Sequence, residues 1–217
     1  MMADEGGEHA SLVGRPDTNR TGCGPATGEQ RMDALDALDV AVREFGERLA
    51  LVGDGQWTAP TPCDEWDVRY LVAHVVGGNR FATLVLDGMS ADEAVEQVMG
   101  QPQLGTAPLA DLTATAAAQH AAFGATGRLD QPVSHPLGDM PARRFLELRA
   151  YDVTLHAWDL ARAIGADETL DPALVGQVLG VVERAHAGMG FGITPLGLAG
   201  PGASPQHRLL DLTGRRA

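Results

Sequence analysis

Two residues four apart, Asp152 and His156, sit on what should be the apolar stripe of one segment, and His74 interrupts an apolar stripe elsewhere in the chain. In the segment opening at Pro141, the positions spaced for a single helix face are Phe145, Leu148, Asp152, Leu155, His156 and Asp159. Residues at i and i+4 lie one above the other on a helix, so this carboxylate and imidazole point to the same spot. Burying a carboxylate among apolar side chains is costly unless a cation compensates it. His74 presents the same anomaly among Leu71, Val75 and Phe81. If the two segments are neighbours, two imidazoles and one carboxylate converge. That donor set suits one divalent ion, zinc foremost, with nickel, iron or manganese also accommodated. Three protein donors leave a position open, and an open position lets an ion act on a bound water, thiol or carbonyl.

The same spacings have plainer readings. Asp and His four apart on a helix also occur as a simple hydrogen-bonded pair, and a single His on an apolar face as a satisfied core residue. Trp66 and Trp158 flank the proposed ligands in sequence and could wall a pocket, although plain core is the favoured reading. Asp159 and Arg162, three apart, form either a pair that orients the site or an ordinary surface pair. Cys63 precedes a helix start that could acidify a thiol, but a quiet buried cysteine is the favoured reading. His120, His135, His186 and His207 have no partner at ligand spacing and are assigned to loops or surface.

The elements that must position these residues follow from periodicity. Met32, Leu35, Leu38, Val42, Phe45 and Leu49 recur at three- and four-residue steps and predict a first helix. Asp67 is placed to cap a second helix that carries Val68, Leu71, Val75 and Phe81 inward and runs to Asp87. A short helix is expected over 91–99 and an Ala-rich one from Leu109 to Phe123. Pro141 suits the first turn of a helix continuing to Ile164 and stopping at Gly165. A further helix over Asp171 to Ala187 and an amphipathic end from Gln206 to Thr213 complete the pattern. Residues 1–30 lack any periodic apolar pattern and are expected to form a disordered extension, leaving 31–217 as one domain. No strand alternation is sustained, so the predicted class is all-α, a bundle of four principal helices with extra short ones.

Composition narrows the function classes. A net charge of -13 repels phosphate backbones, which argues against DNA or RNA as partner. No run approaches the roughly 20 apolar residues of a spanning helix, and the first thirty residues lack a secretory signal, so a cytoplasmic protein is expected. Two cysteines, Cys23 and Cys63, make no disulfide framework or zinc knuckle and are expected to be reduced. All sixteen basic residues are Arg, which points to a GC-rich genome. A homodimer is compatible with all of this.

Three stretches together resemble the actinobacterial DinB-like metal-binding proteins, relatives of the mycothiol-dependent maleylpyruvate isomerases. They are Pro60 to His74 (PTPCDEWDVRYLVAH), His135 to Pro141 (HPLGDMP) and Asp152 to Arg162 (DVTLHAWDLAR), and the ending Ala203 to Arg215 is similar too. The resemblance implies a DinB-like four-helix bundle whose metal is held at His74, Asp152 and His156. It also implies mycothiol as a thiol cofactor, and a thiol-dependent transferase or isomerase acting on an electrophilic small molecule. Asp152 stands where the isomerases carry Glu, and their separate C-terminal domain finds no room in 217 residues. Maleylpyruvate is therefore not the expected substrate. A metal sensor or carrier, and a purely structural helical protein, are the other readings that the residues leave open.

Overall fold

The computed structural model describes residues 32–100, 104–188 and 194–217, with backbone alone for 186–188. The expected extension over 1–30, and Cys23 with it, lies outside the described residues. The helices are α1 (Ala34–Leu49), α2 (Val68–Leu86), α3 (Ala91–Met99), α4 (Pro108–Gly124), α5 (Ala142–Ile164), α6 (Pro172–Gly188) and α7 (Pro205–Leu212). None is long and apolar enough to cross a membrane.

Most helix starts are signalled by a residue whose side chain takes up an otherwise unpaired backbone N–H. Asp33 accepts from Leu35 at the head of α1, Asp67 from Tyr70 at α2, and Ser204 from His207 at α7. Ser90 and Glu93 cap α3 reciprocally. Asp171 accepts from Ala173 and Leu174, so the start of α6 falls where expected. At α5, Pro141 is the residue before the helix, with extended backbone, rather than its first turn. Its Cα pairs with Pro132 in a two-residue antiparallel ladder, Pro132–Val133 against Met140–Pro141 (β1 and β2). That small hairpin is too short to leave an alternation in the sequence, and it aims the chain into α5. At the other end Gly165 takes φ 69°, the left-handed conformation that closes a helix.

The four principal helices form a ring in which α1 lies against α4 and α5, and α2 against α4 and α5. This is the all-α four-helix bundle expected. Around it stand three helices: the short α3 against α2, the 17-residue α6 against α5 and α1, and α7 against α6. The core is one continuous cluster that includes Leu38, Phe45, Leu71, Val75, Phe145, Leu146 and Trp158. Its consequence for function is the α2–α5 contact, which sets His74 opposite the Asp152–His156 turn.

Candidate metal centre

Asp152 is the hub of the cluster. Its Oδ1 lies 3.3 Å from His74 Nε2 and 3.4 Å from His156 Nε2, and the three donor atoms fall within 4.8 Å of one another. These separations are longer than the roughly 2.7–2.9 Å of a charge-assisted N–H···O bond. They match instead the edge of about 3.3–3.4 Å between two donors placed about 2.0–2.1 Å from a tetrahedral ion. The donor chemistry, two imidazole nitrogens and one carboxylate oxygen, fits a divalent ion as well.

Each donor is held from behind. Arg149, one turn before Asp152 on α5, donates from Nη1 to Asp152 Oδ2 at 2.7 Å, which leaves Oδ1 to face the histidines. The same guanidinium is buried and donates to Gln119 on α4 and to Asn79 on α2. It fits only because position 78 is glycine: a Cβ there would lie 2.4 Å from Arg149 Nη1. His156 donates from Nδ1 to Asp159 Oδ2 at 2.9 Å, a bond that fixes the ring orientation and turns Nε2 toward Asp152. Asp159 is fully buried and is gripped in turn by Arg215, with Nε to Oδ1 at 2.8 Å and Nη2 to Oδ2 at 2.7 Å.

The electrostatics follow from these contacts. Burial alone would raise the Asp152 carboxyl, but the neighbouring His156 and His74 hold it well below the usual carboxylate range. Burial alone would lower the His156 imidazole, yet the Asp152 carboxylate and hydrogen bonds to Asp152, Asp159 and Cys63 raise it well above its ordinary value. Asp159, which burial would also raise, is kept low by His156 and Arg215. Without an ion, then, the cluster holds a proton on His156 in the place a cation would take.

Several expectations are corrected. Asp159 does not pair with Arg162: its oxygens are taken by His156 and Arg215, and Arg162 turns outward to Glu168 at 2.7 Å and lies over the Trp158 ring. Trp158 is core, while Trp66 stands at the site, its ring centroid 4.8 Å from that of His74 and 5.6 Å from that of His156. Cys63 is half-buried, not hidden, with Sγ 3.3 Å from Asp159 Oδ2 and 3.9 Å from His156 Nδ1. With His156 and Asp159 it makes a second group at ligand distance. Arg215 already neutralises Asp159 there, so a cation gains less in that position than beside Asp152. His135 is no plain surface residue, because it packs between Phe81 and Phe145. His120 pairs with Asp39 at the exposed surface, and the side chain of His186 lies outside the described residues.

Arg149 and Arg215 are absent from the reading of the sequence. Arg149 lies on the stripe of Asp152 and His156 and is buried there, where the apolar spacing predicts Leu148 as the inward residue. Arg215 is 56 residues from its partner, and no spacing rule reaches that far.

Beside His74 and Asp152 opens a cleft of about 850 Å3, lined from α2, α3, α5 and the segment around His135. A volume of this size holds a small organic molecule.

Comparison with known proteins gives the chain its relatives. Residues 38–161 match the family model described as the mycothiol maleylpyruvate isomerase N-terminal domain. Proteins from two strains of Mycobacterium tuberculosis, both described only as uncharacterized, are each 38% identical over 160 residues, covering 74% of this chain and 82% of theirs. Among solved structures, the crystal structure of the mycothiol-dependent maleylpyruvate isomerase is similar with a TM-score of 0.53 at 18% identity, covering 74% of this chain and 73% of that one. A mutant of that enzyme with one His replaced by Ala gives 0.55 at 16% over the same shares. At these identities the likeness is one of fold.

Proposed function

Since the chain belongs to the family of mycothiol maleylpyruvate isomerase N-terminal domains, we propose that it is a metal-dependent enzyme that activates a low-molecular-weight thiol, mycothiol, toward an electrophilic small molecule. The product is a thiol conjugate or, when the thiol leaves again, an isomer of the electrophile. The observation that carries this reading is the pair of tetrahedron-edge separations from Asp152 Oδ1 to His74 and His156, with all three donors within 4.8 Å of one another, at the wall of a ligand-sized cleft. A divalent ion on these three donors would supply positive charge that lowers the pKa of a thiol or water at its open position.

The chain's own residues do the rest. Asp152 offers one oxygen while Arg149 keeps the other occupied, so the carboxylate cannot swing away. Asp159 and Arg215 hold the His156 ring in one orientation. Trp66 lies against the His74 ring with Tyr70 beside it, ring centroids 4.8 Å apart, and the two give a sugar-bearing thiol flat surfaces to rest on. Zinc is the ion the donor set suits first.

The test is calorimetric titration of mycothiol into zinc-loaded protein, metal-free protein and a His156→Ala variant, repeated in buffers of different ionisation enthalpy. Binding by the loaded wild type alone, with release of a proton, is the expected result. Equal binding by metal-free protein would remove the metal from the reading.

A further inference from the structure

The cleft is unlike a site built for a doubly charged acid. Its charged lining consists of two carboxylates, Asp67 and Asp152, against two guanidinium groups, Arg69 and Arg149. Arg149 is fully engaged, with Nε on Gln119, Nη1 on Asp152, and Nη2 on Asn79 and the Val75 carbonyl. Arg69 lies over the Trp57 ring near Asp67 at the same rim. Apart from an ion held on the three donors, the described lining offers a carboxylate only Arg69 at the exposed rim, so a ligand with two carboxylates buried there would leave at least one uncompensated.

The rest of the lining points the other way. Phe81, Phe145, Leu148, Val98 and Leu104 form its apolar walls. Of the large hydrophobic side chains most exposed to water, Tyr70, Val95, Met99 and Leu137 all line this one opening, at 44–70% exposure. Exposed apolar surface gathered in one place marks a binding site more often than chance scatter does. A polar group set among these walls can orient a ligand. His135 Nδ1 accepts the Leu137 backbone N–H at 3.1 Å, so the ring proton is on Nε2. Burial, and then the nearby Arg149, push this imidazole below its ordinary value, so it is a neutral donor.

From this lining we infer that the electrophile taken by the site is uncharged and predominantly apolar, not a dicarboxylate, and that it lies in the cleft with its carbonyl or similar acceptor at His135 Nε2–H. The inference rests on the thiol-activating reading above and adds the class of its second substrate. It assigns the apolar walls to binding and His135 to orientation, with the electrophilic carbon directed toward His74 and Asp152.

The experiment is calorimetric titration of the zinc-loaded full chain with benzylideneacetone, a neutral apolar enone, and with maleate, a dicarboxylate. The enone is expected to bind at least about tenfold more tightly. Leu148→Glu, which puts a charge on the cleft wall, is expected to weaken the enone about tenfold, and Val95→Glu on the exposed rim repeats the test where folding is not at stake. His135→Phe keeps the ring and removes the donor, so it should weaken the enone but leave a purely apolar probe, naphthalene, unchanged. Tighter binding of maleate, or enone binding indifferent to both Glu variants, overturns the inference. Enone binding that persists in a protein that takes up no metal sinks the thiol-activating reading and leaves the cleft assignment standing.

Discussion

At the scale of single residues, His156 has two nitrogens with two duties, and Asp159 decides which nitrogen does what. Asp159→Asn keeps the shape but can offer an amide N–H where a carboxylate oxygen accepted, so the imidazole loses its fixed tautomer. Zinc affinity is expected to fall about 10- to 100-fold, the usual cost of removing such a partner, with little change in helix content. Competition with a chromophoric chelator measures it, and an unchanged affinity would show that the Asp159–Arg215 clamp serves packing alone.

The raised His156 and lowered Asp152 carry a pH consequence whose sign can be worked out. In metal-free protein the His156 contribution to stability is fully present below the unfolded imidazole value and fades as pH rises through the higher folded value. Asp152 behaves oppositely: its contribution is present above the unfolded carboxylate value and is lost as pH falls through the lower folded one. An ion must displace the His156 proton, so zinc affinity should climb with pH up to the raised folded value and level off beyond it, each ion releasing a proton below that value. Proton release measured in a weakly buffered titration checks this; zinc binding independent of pH would refute it.

At the scale of elements, the site depends on α2 and α5 approaching at Gly78. Gly78→Ala would force the Arg149 guanidinium off its seat, since a Cβ there comes within 2.4 Å of Nη1. The expected cost is about 1–3 kcal/mol of stability in chemical denaturation, together with weaker zinc binding, because Asp152 loses the partner that fixes its second oxygen. The helices themselves were legible because caps and apolar steps are local: Asp33, Asp67 and Ser90 announce their helices within a turn. His74, Asp152 and His156 stood out as polar residues on apolar faces. The contacts that complete their surroundings were not legible, because they join distant stretches. Arg149 meets Asn79 and Gln119 from two other helices, and Arg215 meets Asp159 across 56 residues. Asp159 and Arg162 misled for the converse reason: closeness along a helix says nothing of a stronger partner arriving from elsewhere. The hairpin before α5, two residues per strand, is below the length at which alternation can be seen.

At the scale of the whole molecule, a ligand bound only by the folded bundle shifts the unfolding equilibrium. Zinc at about 100 times its dissociation constant should add about 2.7 kcal/mol, which for a chain of this size is a rise in Tm of roughly 5–10 °C. His74→Ala, at a half-buried position, should abolish that rise, with a modest fall in the metal-free Tm because Asp152 loses one of the groups that hold it charged. Equal shifts for both proteins in a calorimetric scan would place the ion elsewhere.

The proximity of Trp66 to both histidines supplies a reporter that no label need add. An excited indole is quenched by a protonated imidazole beside it and, more strongly, by cobalt or nickel. Of the three tryptophans, Trp66 is the one whose ring is shown against the histidines among the described residues, so most of the emission change on adding such an ion should come from Trp66 and be lost in Trp66→Phe. Occupancy could then be followed by light alone, in dilute solution and on the timescale of mixing.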